Sequence, residues 1–491
     1  MKVFTSRKEG RSRTCGPEVT LACAPGLSEV AGVRRSAYEP RALAQTGFPR
    51  PVTLRARQWI TLVRMEAFPC PELGECGLLS DVSQSSDPAT ADPVRDRART
   101  FDHLDPAQAA TIHETLAAFR KTCPVAHSEA HGGMYVVTRF DDLRHVARHG
   151  ETFSSAAEVG AVVVAPETGG VIAPLFEQDL EEHAGWRRHL QPFFTPPAAA
   201  GHEDYIRRVA REVVAALAPR GQADLVPDLC AKIPPLVIAS LLGLPEEQRP
   251  TLAALVHGLA AADSAAAAEA IGREYTEFLL AHIRSRRGKS GSDVLTSVVN
   301  SEINGRLASD HELLKFAFLL IAAGNLTTTD QLASILLELA QDPALRRRVV
   351  AEPGLIPQLV EESVRHESAV AATGRTVVRE TELAGVPLRP GDRMLLTWGS
   401  GNRDEEHFPD GDEFRLGRPR RPHLGWGAGA HRCLGLHVAR VELRVICEEF
   451  LAAIPEFTLP DGFVPERTYG VIRGVKALPV TWPVQAGPSG S

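Results

Sequence analysis

The sequence lacks several features that would assign it to common protein classes. Its eight cysteines include no C-x-x-C pair, which excludes a disulfide framework and the usual zinc ligand spacing. Its longest strongly apolar run, 316–324, is far shorter than the roughly 20 residues that a membrane-spanning helix needs. A formal net charge of −7 provides no general electrostatic reason to bind nucleic acid. Aromatic residues reach only 6%, but a hydrophobic content of 44% suffices for a large core.

The first 64 residues differ in composition from the rest of the chain. They hold 12 Lys and Arg against 4 Asp and Glu, so they carry +8 while residues 65–491 carry −15. Frequent proline and glycine and poor apolar periodicity predict a disordered extension without a catalytic role. The Arg-rich, acid-poor composition also fits a transit peptide, and Met65 is an alternative natural start. The rest of the chain is predicted to comprise an irregular lead-in at 65–104, one large domain at 105–482 and a flexible tail at 483–491.

Apolar periodicity predicts a mostly α-helical domain with a minor β part. Helical spacing recurs at 108–119, 141–148, much of 183–350, and 436–451. Short β-prone runs lie at 134–137, 394–397 and 478–481. Residues 155–177 show no clear period and predict a long loop, a feature that in compact domains often covers a substrate pocket.

Residues 310–341 are predicted to form one long central helix. Ser309 and Glu312 form an S-x-x-E capping box at its start, and a helix of 32 residues spans about 48 Å. Residues 316–326 are apolar all round, which predicts burial on every side. The segment AGNLT at 323–327 contains a glycine, which costs a helix about 1 kcal/mol, and a threonine, which can bend it. It indicates either an ordinary kink or a helix opened where a ligand approaches the backbone.

The sharpest chemical signal is the segment HLGWGAGAHRCLG at 423–435, in which four glycines surround Cys433. Helical spacing begins at 436, so the positive end of a helix dipole favours the thiolate of Cys433. Glycines let backbone N–H groups approach the sulfur and tune a metal-bound thiolate. A lone cysteine is usually a small buried hydrophobe. Here the glycines and the adjacent His431 and Arg432 favour a metal ligand instead.

This segment resembles the haem-binding loop of the cytochrome P450 family, F-G-x-G-x-H-x-C-x-G, with Trp426 in place of Phe. Trp still supplies a flat apolar face that shields the sulfur. The resemblance covers 105–482 and implies a single large, mostly α P450-type domain with a minor β part around a buried haem b. It also implies that Cys433 is the iron ligand, where a thiolate favours O–O cleavage.

A second motif of the family concerns structure rather than catalysis. Glu362 and Arg365 fit its E-x-x-R pattern, and Arg418 takes the place of a second arginine in that network. A buried carboxylate between two guanidiniums is costly unless it is fully hydrogen-bonded. The resemblance therefore implies that this structural network holds the cysteine loop.

A third motif supplies candidate donors for the two haem carboxylates. His183 and Arg187 fit the H-x-x-x-R pattern of the family, and their i,i+4 spacing places both side chains on one helical face. The resemblance implies that Arg375 and His431 bind the same carboxylates. His423 is a further candidate for cofactor binding.

The central helix departs from the family pattern A-G-x-D/E-T. Ala323, Gly324 and Thr327 match its catalytic positions, but Leu326 stands where the acid belongs. In the family this acid and alcohol relay protons for dioxygen activation, and a leucine cannot carry a proton. Two substitutes remain open, namely Asp330, one turn further along the helix, and polar groups of the substrate.

The implied function is a soluble, bacterial-type haem-thiolate monooxygenase of the cytoplasm that oxidises a bulky organic small molecule in natural-product metabolism. The chain shows no flavin or nicotinamide fingerprint such as G-x-G-x-x-G after an early strand, so its electrons come from partners, expected to be a ferredoxin and its reductase. Arg420, Arg421 and Arg432 form a basic cluster that the resemblance places on the donor-facing side. We expect a monomer with no nucleic-acid or membrane partner.

Two alternatives share the same cofactor. Oxidative coupling of two substrate positions without oxygen insertion fits the missing acid, because phenols or amides can supply protons. A non-enzymatic haem-thiolate sensor is the other. Residues 155–177 and the alanine-rich stretch 259–271 are expected to roof the substrate pocket. Small side chains at Ala369, Ala371 and Ala372 predict a roomy cavity.

Overall fold

A computed structural model describes residues 93–156 and 174–484, and every structural statement below refers to them. The predicted extension at 1–64 and most of the predicted loop at 155–177 and tail at 483–491 lie outside these residues. The helices are α1 Pro93–Arg99, α2 Ile112–Thr122, α3 Phe140–Arg148, α4 Leu180–Leu190, α5 Pro196–Ala200, α6 Glu203–Leu217, α7 Pro234–Leu241, α8 Arg249–Ala261, α9 Ala265–Arg286, α10 Val294–Asn300, α11 Asp310–Gln341, α12 Pro343–Ala351, α13 Ile356–His366, α14 Trp398–Gly401 and α15 Leu436–Ala453. The strands are β1 Val125–Ser128, β2 Met134–Val137, β3 Phe153–Ser154, β4 Gln222–Asp224, β5 Glu302–Ile303, β6 Arg306–Leu307, β7 Ala372–Val377, β8 Thr381–Leu383, β9 Val386–Leu388, β10 Arg393–Thr397 and β11 Pro479–Thr481.

The architecture is the predicted one, rich in helix with a minor sheet part. Within the described ranges no helix combines the length and the apolarity needed to cross a membrane. The predicted irregular lead-in contains one regular element, because α1 lies inside 65–104 and packs against β1.

The long helix α11 begins and ends where the sequence predicts. Its capping box is complete: the Glu312 N–H donates to Ser309 Oγ at 3.2 Å, and the Ser309 N–H donates to Glu312 Oε2 at 2.9 Å. The helices α7, α9, α13 and α15 pack around it. A strong cap at one end and neighbours on several sides explain how 32 residues remain one continuous helix.

The prediction that 316–326 is buried on every side is wrong for one face. Phe316 and Ile321 are buried, but Ala323 is exposed and Leu320 half-buried, because both line an internal cavity. Residues that face a cavity and residues packed in a core carry the same apolar side chains, so the periodicity cannot separate them. The helix is not opened here either, since the Thr327 hydroxyl donates to the Ala323 carbonyl oxygen at 2.7 Å within continuous α-helix.

A five-stranded sheet lies beside the helices, with strand order β1-β2-β10-β7-β3. Strands β2 and β10 are parallel and the other neighbours antiparallel. Alternation along β7 directs Thr373 and Arg375 into the cavity, whereas Ala372 belongs to the core of the sheet. The sheet thus supplies one wall of the cavity whose other walls are helices.

Candidate active site

An internal cavity with a volume of about 290 Å³ is lined by residues from α4, α7, α11, β7, α15 and the segment before α15. Most of its walls are apolar. Its polar and titratable lining residues are His183, Arg187, Thr327, Thr328, Gln331, Thr373, Arg375, His431, Cys433 and Glu442. The structure therefore brings the predicted cysteine, the predicted basic residues and the predicted threonine to one site, although they come from distant parts of the sequence.

The glycine-rich segment before α15 is folded tightly behind Cys433. The Cys433 N–H donates to the Trp426 carbonyl oxygen at 2.8 Å, and the Leu424 N–H donates to Asn402 Oδ1 at 2.6 Å. Gly429 has φ of +68°, and a Cβ atom there would overlap the carbonyl oxygen of Ala147 at the end of α3. Only glycine fits this position, so the segment can lie directly against the helix and present Cys433 to the cavity.

The environment of Cys433 raises its pKa rather than lowering it. Burial is the largest cause, and the Gly435 backbone hydrogen bond and the charges of Arg187, Arg432 and Arg440 offset it only in part. The sequence reasoning considered the helix end, which favours the thiolate, but could not weigh it against burial, which favours the thiol. Iron coordination deprotonates a thiol outright, which would make the metal the group that fixes the thiolate.

Trp426 lies in the cavity wall at the position where the family carries phenylalanine. The Arg440 guanidinium sits 5.5 Å from its ring centroid and also donates to Glu361 Oε1 at 2.7 Å. Such a cation–π contact holds the indole plane in place. The indole Nε1 is buried and has no hydrogen-bond partner among the described residues.

The Glu362, Arg365 and Arg418 side chains meet as the E-x-x-R motif implies. Arg365 donates to Glu362 through Nε at 2.9 Å and Nη2 at 2.7 Å, and Arg418 Nε donates to Glu362 Oε1 at 2.9 Å. The remaining Arg365 protons reach the carbonyl oxygens of Asn402, Gly411 and Glu413 at 2.8, 2.7 and 2.9 Å. The network is thus fully bonded, and it ties the end of α13 to the chain that leads into the cysteine segment.

Four basic side chains line one part of the cavity: His183 and Arg187 from α4, Arg375 from β7 and His431 from the cysteine segment. The His183 and His431 rings lie 4.2 Å apart, and Arg187 Nη1 donates to the Arg432 carbonyl oxygen at 2.6 Å. Burial, with the nearby His431 and Arg187, lowers the pKa of His183 to about 4. Burial also lowers the pKa of Arg375 to about 10.

His423 is placed apart from these four residues. It does not line the cavity, and its Nε2 lies 3.3 Å from Glu361 Oε2 while its Nδ1 accepts from the Gly425 N–H at 3.2 Å. Glu361 is also bound by Arg440. The structure therefore assigns His423 to the support of the cysteine segment rather than to cofactor contact.

The residues present fit a dianionic, planar, largely apolar group. The Nε2 atom of buried His183 has no partner among the described residues, and the only hydrogen bond that the structure gives the buried Arg375 guanidinium goes to the Gly374 carbonyl oxygen at 2.6 Å. Buried hydrogen-bond donors without acceptors are costly. Two carboxylates of a haem would satisfy them, while Cys433 would supply the iron ligand and the apolar walls would accommodate the ring.

Two acidic residues at the site were missed by the sequence reasoning. Asp179, directly before α4, accepts from Ser154 Oγ at 2.6 Å and the Ser155 N–H at 2.8 Å, and its Oδ1 lies 3.3 Å from His431 Nε2. Despite the opposing effect of burial, hydrogen bonds from His431 and Ser154 lower its pKa to about 2. The feature of the sequence that could have identified Asp179 as a site residue was its position four residues before His183.

Glu442 on α15 is the second missed acid and the only carboxylic acid among the described residues that line the cavity. It is buried, its Oε1 has no partner within the described part of the chain, and burial raises its pKa to about 8. The feature of the sequence that could have identified Glu442 was an acid between Val441 and Leu443, on a helical face whose other residues are apolar.

The helix α11 contributes Ala323, Gly324 and Thr327 to the cavity, whereas Leu326 and Asp330 are not among the lining residues. Burial raises the pKa of Asp330 to about 7, and its carboxylate packs against Gly474, where a Cβ atom would overlap it. The structure thus directs Asp330 away from the cavity that Thr327 faces.

The predicted pocket roof is only partly in place. Leu175 and Phe176 line the cavity, but no residue of 259–271 does, because α7 lies between α8 and α11 and contributes its own Val237, Ile238 and Leu241. Of the three predicted alanines only Ala369 lines the cavity.

Comparisons with known proteins point to one family. The family model described as Cytochrome P450 matches residues 262–460. A methyl-branched lipid omega-hydroxylase of Mycobacterium tuberculosis is 31% identical over 393 residues, which cover 78% of this chain and 91% of the relative. A cyclomarin C epoxidase of Salinispora arenicola is 32% identical over 345 residues, covering 68% and 87%. The crystal structure of a post-tailoring hydroxylase involved in himastatin biosynthesis matches with a TM-score of 0.69 at 29% identity, covering 77% of this chain and 99% of that one.

Proposed function

Since the chain belongs to the cytochrome P450 family, whose cofactor is haem b, we propose that this monooxygenase inserts one oxygen atom into a bulky, mainly apolar product of secondary metabolism. One observation carries the proposal: a single cavity is lined by Cys433, by four basic side chains and by Thr327. The relatives support the substrate class, because they include a lipid hydroxylase, a cyclomarin C epoxidase and a himastatin hydroxylase.

Haem b bound through a thiolate supplies dioxygen activation, and the protein supplies binding, orientation and proton control. Cys433 Sγ would hold the iron, and Trp426 would shield the sulfur from water. His183, Arg187 and Arg375 would hold the haem carboxylates together with His431. Asp179 would orient the His431 ring through its 3.3 Å contact with Nε2.

Proton supply would rest on Glu442 rather than on an acid beside Thr327. With a pKa of about 8, Glu442 holds a proton at neutral pH inside the cavity. Thr327 Oγ1 donates to the Ala323 carbonyl oxygen, so its lone pairs remain available to accept a hydrogen bond. Glu442 and Thr327 line the same cavity, whereas Asp330 does not.

The substrate would contact the apolar residues Phe176, Phe194 and Ile238. Thr328 and Thr373 of the same cavity would offer it hydroxyl groups. Few polar contacts favour a hydrophobic substrate that is oriented mainly by shape. The direct test is a screen of lipids and cyclic peptides against the haem-loaded protein. Compounds that displace the iron-bound water shift the Soret band, and those compounds are then incubated with an electron donor and analysed by mass spectrometry. A gain of one oxygen atom supports the proposal.

Oxidative coupling is the second candidate function, and Leu326 in the position of the acid favours it. A coupling reaction can draw its protons from substrate phenols or amides. In that case the same mass spectrum shows a loss of two hydrogens and no added oxygen, even under ¹⁸O₂. Such a result would replace the monooxygenase proposal.

A separate ferredoxin with its reductase is proposed as the electron donor. Arg420, Arg421 and Arg432 are exposed, and Arg432 directly precedes the cysteine. An acidic donor would be steered to these residues by complementary charge.

A further inference from the structure

A cluster of metal-ligand side chains lies outside the haem cavity, where the chain after α1 meets the turn between β1 and β2. Asp102, His103 and His131 each offer one ligand atom there, and these atoms all lie within 4.8 Å of one another. None of the three lines the cavity described above. The cluster is thus distinct from the residues to which haem and substrate contacts are assigned above.

The local backbone is built so that these side chains converge. His131 has φ of +53° and ψ of +32°, a left-handed conformation that costs a residue with a Cβ atom about 1 kcal/mol. Arg393 of β10 maintains this strained turn by donating to the His131 carbonyl oxygen and, through Nε and Nη2 at 3.1 and 2.8 Å, to that of Gly133. A strained residue that the surrounding structure maintains is a recurrent mark of a ligand site.

The opposite side of the cluster is equally constrained. Ser128 Oγ donates to the Phe101 carbonyl oxygen at 2.6 Å, and the Glu129 N–H donates to that of Arg99 at 2.9 Å. The Leu104 N–H donates to Asp102 Oδ1 at 2.8 Å and fixes the carboxylate. The two chain segments are therefore held together before any ligand binds.

The chemistry of the three side chains is that of a transition-metal site. His131 Nε2 lies 2.7 Å from Asp102 Oδ1, and the His103 and His131 ring centroids lie 5.4 Å apart at an interplanar angle of 75°. His103 is fully buried, whereas Asp102 and His131 are each partly exposed. Two imidazoles and one carboxylate form the donor set of many three-ligand zinc sites.

We propose that Asp102, His103 and His131 bind one Zn²⁺ ion, with water as the fourth ligand. Zinc would replace the proton that His131 and Asp102 share. In a tetrahedral site with ligands at about 2.0–2.2 Å the donor atoms are about 3.3 Å apart, so side-chain rotation must close the widest separation by at most about 1.5 Å. The ion would cross-link residues 102–103 to residue 131 and so anchor the N-terminal entry of the domain on its sheet.

The test uses the full-length, haem-loaded protein after dialysis against a chelator. Equilibrium dialysis against ZnCl₂, with zinc and iron measured in the same sample, is expected to give one zinc per haem iron. Asp102→Asn and His131→Ala are each expected to weaken zinc binding at least tenfold, because each removes one of three ligands. Both residues are partly exposed, so these variants avoid the fully buried His103.

His149→Ala is the matched control, because His149, directly after α3, forms another histidine pair with His145 of that helix, with ring centroids 4.2 Å apart. Zinc is also expected to raise the melting temperature of the wild type and of His149→Ala, but not that of His131→Ala. The proposal is overturned if the wild type retains no zinc at 100 μM. It is equally overturned if zinc binding survives in His131→Ala or disappears in His149→Ala.

Discussion

At the scale of single residues, the site contains residues that line the cavity and residues that only hold the surrounding chain in place. Cys433, His431 and Thr327 line the cavity, whereas Glu362 and Arg365 never reach it and instead hold the chain behind the cysteine. Their bidentate pair is buried, so loss of either partner would leave an uncompensated charge, which typically costs 3–5 kcal/mol.

Cys433→Ala is expected to abolish thiolate-ligated haem, because no other described sulfur lines the cavity. The reduced carbon monoxide complex should lose its long-wavelength Soret band. Cys447→Ala is the matched control, since Cys447 is a fully buried cysteine on α15 that does not line the cavity. A Cys433 variant that keeps the band would show that another group binds the iron.

Glu442→Gln should change both the pH dependence of stability and the coupling of turnover. The pKa of Glu442 is raised to about 8 in the folded protein from about 4.5 in the unfolded chain. Its neutral form therefore stabilises the fold fully below pH 4.5, and this contribution is lost progressively as the pH rises to 8 and above. Glutamine has no proton to lose, so the melting temperature of the variant should decline less between pH 5 and 9.

The same variant tests the proton route. If Glu442 supplies protons, Glu442→Gln should release more peroxide per electron pair than the wild type, while substrate binding stays the same. Asp330→Asn is the control, because Asp330 also has a raised pKa, of about 7, but faces away from the cavity. Increased peroxide from Asp330→Asn alone would assign the route to Asp330 instead.

At the scale of elements, the segment before α15 depends on close contact with α3. Gly427 and Gly429 both have φ of +68°, but only Gly429 approaches a neighbouring carbonyl oxygen, that of Ala147. A Cβ atom on Gly427 would meet nothing nearer than 3.8 Å. An alanine at either position would therefore have the same backbone strain, but only an alanine at 429 would also clash with a neighbour.

Gly429→Ala is therefore expected to lower haem retention and melting temperature far more than Gly427→Ala. Both variants bear the strain of a left-handed alanine, about 1 kcal/mol, but only Gly429→Ala must also push the segment away from α3. Haem content per chain and thermal unfolding of the holoprotein measure the difference. Equal losses in the two variants would mean that backbone strain alone governs the segment.

At the scale of the whole molecule, charge is unevenly distributed. Residues 65–491 carry −15, yet Arg420, Arg421 and Arg432 are exposed beside the cysteine segment. Arg421 also donates to the His407 carbonyl oxygen at 2.6 Å, so part of its role is structural. A local positive cluster on an acidic body orients an approaching acidic donor.

Charge reversal at Arg420 and Arg421 to glutamate should slow reduction by a ferredoxin several-fold at low salt. The difference from the wild type should shrink as the Debye length falls to about 3 Å at 1 M salt. Reversal of the exposed Arg347 and Arg348 on α12 makes the same change in net charge and is the control. Equal slowing by both pairs would mean that net charge rather than a docking surface sets the rate.

Several elements could be predicted closely from local sequence. Helix 310–341 and strand 134–137 have the predicted bounds, because a capping box and a glycine turn are encoded within a few residues of the element they start. The meeting of Cys433 with His183 and Arg187 was expected only through the family resemblance. Spacing alone could not show it, since about 250 residues separate these residues in the chain.

By itself the sequence determined the helical class, the motifs and the chemistry that each motif can carry, because these depend on residue type and short-range spacing. Only the tertiary structure decided which residues share the cavity: it includes Glu442, excludes His423 and the 259–271 stretch, and turns Asp330 away from Thr327. It also brought Asp102 within hydrogen-bond distance of His131, although the two are 29 positions apart in the chain. These outcomes depend on how helices rotate and pack against one another, and burial, which raises the pKa of Glu442 and of Cys433, exists only once that packing is complete.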